Sequence, residues 1–176
     1  MFKSLFRAVS LGLSGLALTA CSVSPEVYKE QTPALDITQF LNGKLLGWGI
    51  FEQNGEVTKR FHIEMDAHWE GNKGTFIEHF TFNDGTKQVR SWDITRLNEH
   101  EFTGVANDSV GIGRGQMYGN SMHWNYTITT PTERGTYDLD YDYWMHLVDS
   151  NTLINRATLS KFGIPLGDIS VTFRKQ

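Results

Sequence analysis

The chain has 176 residues, with 16 basic and 20 acidic side chains, a formal charge of −4 and a single cysteine. That length suits one domain with a sizeable core, the acidity disfavours a nucleic-acid partner, and the lone cysteine excludes an internal disulfide.

Met1 to Arg7 carry Lys3 and Arg7 without an acid, and Ala8 to Leu18 then run apolar with only Ser and Gly breaks. This is the pattern of a signal peptide, too short to span a bilayer as a mature helix. It ends Leu18-Thr19-Ala20-Cys21, which resembles the lipobox of bacterial lipoproteins. The resemblance implies removal of residues 1–20 and thioether attachment of diacylglycerol to Cys21; an ordinary secretory signal with a chance cysteine is the alternative. Three acyl chains, as the resemblance implies in a Gram-negative cell, make a permanent membrane anchor where one chain alone is marginal. Ser22 stands where an aspartate would favour inner-membrane retention, so the expected location is the cell envelope, lipid-anchored at the outer membrane and facing the periplasm. Loss of Lys3 and Arg7 leaves 14 basic against 20 acidic residues, a formal charge of −6.

Residues 21–34 read as the lipidated N-terminus and a tether, because Ser22 to Pro33 holds two prolines and no apolar period. The domain is expected over 35–176. Asp36 caps a predicted helical turn through Leu41, closed by Asn42-Gly43. Period-two alternation follows over Val57 to Trp69, then as Phe76/Phe80/Phe82, Met122/Trp124/Tyr126/Ile128, Tyr137/Leu139/Tyr141/Tyr143/Met145/Leu147 and Ile169/Val171/Phe173. Turn signals stand at Gln53 to Glu56, Asn83 to Gly85, Leu97 to Glu99, Pro131 to Gly135 and Pro165 to Gly167. The segment holding Asp149, Asn155, Arg156 and Lys161 is less regular, and Thr158 to Phe162 suits a short helix. The fold class is therefore all-β: an antiparallel up-and-down barrel of about eight to ten strands with a short N-terminal helical turn, closed because closure removes exposed edges.

One hairpin register is predictable. With Asn83-Asp84-Gly85 as a three-residue loop and Gly85 left-handed, Phe82 pairs with Thr86, Phe76 faces Trp92 and Glu78 faces Arg90. Glu78 and Arg90 then share the apolar side of the sheet as an ion pair.

Several stretches together resemble a family of small proteobacterial lipoproteins of unknown function: the lipobox, Gly47-Trp48-Gly49, Arg60-Phe61, Glu78 with Arg90 and Trp92, Gly119-Asn120, Trp144, Leu153 to Arg156, Lys161-Phe162-Gly163 and Phe173 to Lys175. The resemblance covers almost the whole mature chain and implies no established activity. A broader one is to lipocalins, members of the calycin-type barrels, whose parts Asp36 to Phe40, Trp48 and Arg174 would supply: an end plug, the first-strand tryptophan and the late arginine. Gly43 lies too far from Trp48 for the usual spacing, so this is an architectural analogy.

The residues that bear on chemistry divide into groups. Glu78 and Arg90 either brace the hairpin or hold the polar end of a ligand. Trp48, Phe76, Phe80, Trp92, Trp124 and Tyr126 are the candidate pocket. Asp108, Asp142, Asn155, Arg156 and Lys161 are candidate polar groups of a barrel mouth or of loops. Asp108 to Gly115 lacks dinucleotide spacing, and inward glycines there would leave room for a ligand. The six histidines form no metal signature, His62 and His68 on one strand being roughly 20 Å apart. Asp138, Asp140 and Asp142 alternate as a solvated ladder, and no hydrolase elbow is present, so no catalytic residue, cofactor or metal is assigned.

The leading functional expectation is a membrane-anchored binding protein that takes a lipid or other small apolar molecule in its barrel. The alternatives are an enzyme acting on envelope lipids, with Glu78, Asp108 or Asp142 as acid or base, and a ligand-free scaffold in an envelope complex. A hollow aromatic interior discriminates the first from the last.

Overall fold

The computed structural model describes residues 23–132 and 135–176. The leader, Cys21 and two residues of the predicted turn Pro131 to Gly135 lie outside the described residues. Ten strands form: β1 (Gly43–Gln53), β2 (Glu56–Glu70), β3 (Lys73–Phe82), β4 (Lys87–Arg96), β5 (Glu101–Ala106), β6 (Gly113–Tyr118), β7 (Ser121–Thr132), β8 (Gly135–Leu147), β9 (Thr152–Lys161) and β10 (Ile164–Lys175). Each pairs antiparallel with its chain neighbour, and β10 returns to β1 to close the barrel. The expected meander is thus the fold, and no sheet edge is left open.

The alternation seen in the sequence is the in/out alternation of the wall. Ile63, Met65 and Ala67 of β2 point inward with Phe76 of β3, Trp92 and Ile94 of β4, and Val171 and Phe173 of β10. The proposed hairpin register is observed residue for residue: Phe76 faces Trp92, Glu78 faces Arg90, Phe82 N–H donates to Thr86 O at 2.9 Å, and Gly85 has φ +85°.

Three expectations are corrected. Trp48 points outward and is 51% exposed. The inward positions of β1 beside it are Gly47 and Gly49, where a Cβ would stand 2.7 Å from the Phe173 ring and 2.5 Å from the Phe61 ring. Aromatics reaching across from β10 and β2 fill that space, so the internal tryptophan of the lipocalin analogy is absent. Secondly, the segment around Asn155 is neither irregular nor helical at Thr158 to Phe162: β9 is one continuous strand, hidden because a buried Asn155 interrupts its inward row Leu153, Ala157 and Leu159. Thirdly, the stretch read as a tether is docked from Pro25 on. Pro25–Tyr28 forms a 3-10 turn, the Tyr28 ring packs edge-on against Trp144 and His146, and Leu35 N–H donates to Gly119 O at 2.7 Å.

One barrel end is plugged. The helical turn α1 (Ile37–Phe40) is capped by Asp36, whose Oδ1 accepts from Thr38 N at 2.9 Å and from Thr38 Oγ1 at 2.7 Å. Partial burial opposes the Asp36 charge, but these hydrogen bonds and Arg96 at 3.6 Å outweigh it and hold the carboxyl below its usual range. A four-residue helix has no stability of its own. Burial of Leu35, Ile37, Phe40 and Leu41 in the barrel end holds it, with Trp69 Nε1–H donating to Leu41 O at 2.7 Å and Lys175 Nζ donating to Gln39 O.

Candidate functional site

The buried charged groups and tyrosines stand away from α1, with Asn155 nearer the middle of the barrel and the buried Ser121 at the α1 end. Glu78 comes from β3, Arg90 from β4, Tyr126 from β7, Tyr141 and Tyr143 from β8 and Asn155 from β9, all at inward positions of their strands. Asp108 is delivered by the loop after β5. That loop follows the barrel wall, because Val110 N–H donates to Thr127 O and Thr129 N–H donates to Asp108 O, each at 2.9 Å.

The Glu78–Arg90 pair is juxtaposed but is not the ion pair. Arg90 Nε–H is shared between the two carboxylate oxygens of Asp108, each at 3.0 Å, and Gln88 Nε2 approaches the same carboxylate at 3.4 Å. Glu78 Oε2 instead accepts from Trp92 Nε1–H at 3.2 Å. Register places Arg90 opposite Glu78, but the flexible guanidinium reaches the loop carboxylate, which is less deeply buried and less costly to keep charged. Burial raises the Glu78 carboxyl above its ordinary value against the pull of Arg90 and Trp92. Burial acts to lower Arg90, yet Glu78 and Asp108 together lift it, so it stays a cation. No other hydrogen bond ties its two Nη groups among the described residues.

Tyrosines surround this charge cluster. Tyr126 stacks on Tyr141 with centroids 5.0 Å apart and meets Trp92 edge-on at 5.1 Å, and Phe80 lies 5.6 Å beneath the Arg90 guanidinium. Desolvation pushes the phenols of Tyr126, Tyr141 and Tyr143 upward, so all three are neutral O–H groups near neutral pH. Asn155 Nδ2 donates to Tyr143 OH at 3.0 Å, and Thr130 Oγ1 is 3.4 Å from Tyr141 OH. Two buried atoms, Trp124 Nε1 and Asn155 Oδ1, have no hydrogen-bond partner among the described residues.

The candidate pocket residues Phe76, Phe80, Trp92, Trp124 and Tyr126 do converge, but as packing. Trp92 and Trp124 lie 4.5 Å apart between centroids, and Trp124 meets Phe102 at 5.4 Å and Tyr126 at 5.0 Å. The inward glycines of β6 leave no space for a ligand: a Cβ on Gly113 would stand 2.7 Å from Trp124 Nε1, and one on Gly115 would stand 2.0 Å from Phe102 Cζ. Clefts open on the outer wall. One of about 280 Å³ crosses β5 and β6 beside Arg114 and His123, and one of about 340 Å³ lies over β7 to β9 beneath Val110 and Ile112.

The candidate mouth residues separate. Asp108 and Asn155 belong to the cluster just described. Asp142 stands on the outer wall, 2.5 Å from His123 Nε2, with His123 stacked on Trp144 at 4.2 Å. Arg156 is outward and 3.8 Å from Asp168, and Lys161 ends β9 with Nζ over the Tyr137 and Phe162 rings. Asp138 and Asp140 of the acidic ladder accept from Thr129 and Thr127, each at 2.7 Å. Sequence reasoning missed Tyr141 and Tyr143 as partners of Arg90, although their parity on β8 pointed inward. It also missed Ser121, wholly buried, whose Oγ lies 2.7 Å from His146 Nδ1 and donates to Asn120 Oδ1 at 2.8 Å. With its proton given to Asn120 and no access for a substrate, Ser121 is a packing hydroxyl, not a nucleophile. No group of three metal-ligating side chains occurs among the described residues.

A closed antiparallel barrel with a helical plug at one end and polar groups collected toward the other defines a lipocalin-like barrel. The chain belongs to the family described as protein of unknown function (DUF3833), matched over residues 15–175. No curated protein sequence matches it. Among solved structures it is similar to an S-type phycobiliprotein lyase, CPES, from Guillardia theta, with 6% identity and a TM-score of 0.57 over 88% of this chain and 99% of that one. At that identity the likeness shows the fold alone.

Proposed function

We propose that the chain is a lipid-anchored protein of the bacterial envelope, at the outer membrane and facing the periplasm, that binds the polar head of a small amphiphile at the barrel end opposite α1. The lipobox resemblance at Cys21 supports the anchoring. Arg90 carries the binding reading: Asp108 and Glu78 keep it cationic, its Nη groups have no protein hydrogen bond among the described residues, and neutral tyrosines surround it. Around the same end stand exposed apolar side chains, Phe162 at 89% and Ile164 at 64%, with Val110 and Ile112 across the rim. The ligand thus sits in the mouth, with its apolar part against the rim, since rings occupy the axis. The similarity to a phycobiliprotein lyase is consistent with a barrel that engages a small molecule.

The test is equilibrium binding of a fluorescent fatty acid to wild type and Arg90→Gln. Loss of hydrogen bonds to a charged group worth about 1.5–3 kcal/mol weakens binding roughly tenfold or more. Equal affinity of the two proteins, or recovery of the wild type from its own envelope without any bound lipid by native mass spectrometry, refutes the mouth site. The packed axis favours a second reading, a ligand-free scaffold, in which Arg90 matters for stability alone. The enzyme reading lacks its specific support, because the buried Glu78 carboxylate already has a partner in Trp92.

A further inference from the structure

The Arg90 guanidinium has two edges that can grip an anion as a fork, and Asp108 takes neither: both of its carboxylate oxygens share the Nε–H at 3.0 Å. The edge formed by the two Nη groups has no protein acceptor among the described residues, and it is not sealed in the core. The buried side-chain nitrogen and oxygen atoms without a hydrogen bond among those residues are Trp124 Nε1 and Asn155 Oδ1. The Nη groups are unbonded and not among these, so they reach solvent at the open end of the barrel, in keeping with a side chain that keeps 13% of its surface exposed. Tyr126 stands within electrostatic reach of the same cation, and its hydroxyl, also unbonded among the described residues, reaches the mouth for the same reason. A planar, two-pronged donor with a neutral hydroxyl near it thus faces the open end.

The charge around Arg90 limits what that donor can hold. Asp108 pairs with it, Glu78 faces it across the hairpin, and Tyr126 and Tyr141 are neutral. A singly charged head can share the guanidinium with Asp108, whereas a doubly charged one brings a further negative charge toward Asp108 and Glu78 with no cation to meet it. At the rim Lys59 lies over the Phe82 ring, but Asp84 already draws on its charge. Shape narrows the choice further. Trp92 and Trp124 fill the axis beyond Arg90, so a head must enter end-on as the terminus of its molecule, which a phosphodiester joined on both sides cannot do. Two coplanar acceptor oxygens match the Nη fork, and a carboxylate has that geometry. On the mouth side the inward rings of Phe61, Phe80 and Phe82 form an apolar strip with centroids 5.6, 5.9 and 6.3 Å apart, and Phe80 lies beneath the guanidinium. A chain attached to a head on Arg90 has that strip to lie on.

We infer that the mouth site selects a carboxylate head on an apolar chain, as in a free fatty acid, over phosphate-bearing amphiphiles: the two Nη groups of Arg90 grip the carboxylate, and the chain lies on Phe61, Phe80 and Phe82. The inference rests on the mouth-site reading above and deepens it by naming the head. The test is calorimetric titration of the full chain in nanodiscs, with empty nanodiscs as the blank, by decanoate, decyl phosphate and decanol at neutral pH. Decanoate is expected to bind roughly tenfold or more tighter than either of the others. Arg90→Lys keeps the charge beside Asp108 but not the fork, and is expected to lose most of the advantage of decanoate over decyl phosphate. Phe82→Ala, at the rim, is expected to weaken decanoate severalfold and to leave the order of the three heads unchanged. Decyl phosphate or decanol binding as tightly as decanoate, or an order of heads that Arg90→Lys leaves untouched, overturns the carboxylate assignment while the mouth site stands. An unweakened Phe82→Ala overturns the path given to the chain. If Arg90→Gln binds all three as the wild type does, or the wild type binds none, the mouth site itself is refuted.

Discussion

Arg90→Leu removes the cation that organises the open half of the barrel. It strips Asp108 of its bifurcated hydrogen bond, leaving that carboxylate only Gln88 at 3.4 Å, and it withdraws the charge that opposes the desolvation of Glu78. Breaking a fully buried pair by removing one partner costs about 3–5 kcal/mol. The Arg90 and Asp108 side chains keep 13% and 18% of their surface exposed, so water offsets part of this and about 2–4 kcal/mol is expected. For a domain of this size that lowers the melting temperature by roughly 5–15 °C. The control is R90L/D108L, because replacing both partners of a buried pair with apolar residues is often neutral or stabilising. Thermal and urea unfolding at neutral pH read both variants. A single variant within about 0.5 kcal/mol of wild type, or a double variant no more stable than the single one, refutes the view that Arg90 and Asp108 are energetically coupled.

Three further outcomes are expected. Burial raises the Glu78 carboxyl above its ordinary value of 4.5, so the folded protein holds a proton that the unfolded chain has already released. Wild-type stability therefore contains a loss that sets in as pH rises above about 4.5 and is complete once pH passes the raised value; Glu78→Gln, which still accepts from Trp92, should flatten that part of the urea-midpoint profile. An unchanged profile would show that Glu78 titrates normally. Gly115→Ala drives a methyl against the Cζ end of the Phe102 ring and should cost about 1–3 kcal/mol or more by urea unfolding, whereas a ligand space at β6 would accept it without loss. Gly119 has φ +53°, and its Cβ would collide with the Tyr28 carbonyl, so Gly119→Ala should detach the 25–35 segment. Limited proteolysis should then cut near Glu26 to Glu30 while the barrel stays folded, and resistance equal to wild type would count against docking of that segment.

The fold was legible wherever one face of a strand meets water and the other meets rings. β2 and β8 alternate for more than ten residues, and the Asn83-Asp84-Gly85 turn sets the β3–β4 register because a three-residue loop with a left-handed glycine has one pairing solution. β5 and β6 were not legible, since Gly104, Gly113 and Gly115 occupy inward positions and carry no hydropathy signal; their packing partners Trp124 and Phe102 lie on other strands or far along the chain. The same effect misplaced Trp48. The lipocalin analogy put it in the interior, but the glycines beside it face the rings of Phe173 and Phe61. The site was half legible: hairpin register brought Glu78 and Arg90 together, whereas Asp108 is 18 residues beyond Arg90 on a loop whose path depends on its bridge to β7.

An eight-stranded barrel is just filled by ordinary side chains, and width grows with strand number, so ten strands need more filling. This barrel meets that need at one end with α1 and along the axis with Trp92, Trp124 and Phe102 against glycines. Aliphatic and aromatic residues would complete the open half by the same means and with less desolvation. Instead that half retains Glu78, Arg90 and Asp108, and the middle of the barrel an Asn155 that is 1% exposed with an Oδ1 unpartnered among the described residues. A buried acceptor without a donor costs about 1–3 kcal/mol, and a buried pair is weak support for stability beside an apolar replacement. Packing alone therefore does not account for these groups. In the proposed mouth site a ligand headgroup supplies acceptors to the Arg90 Nη groups, which gives the retained charges a use that packing does not, whereas Asn155 Oδ1, itself an acceptor, calls for a donor.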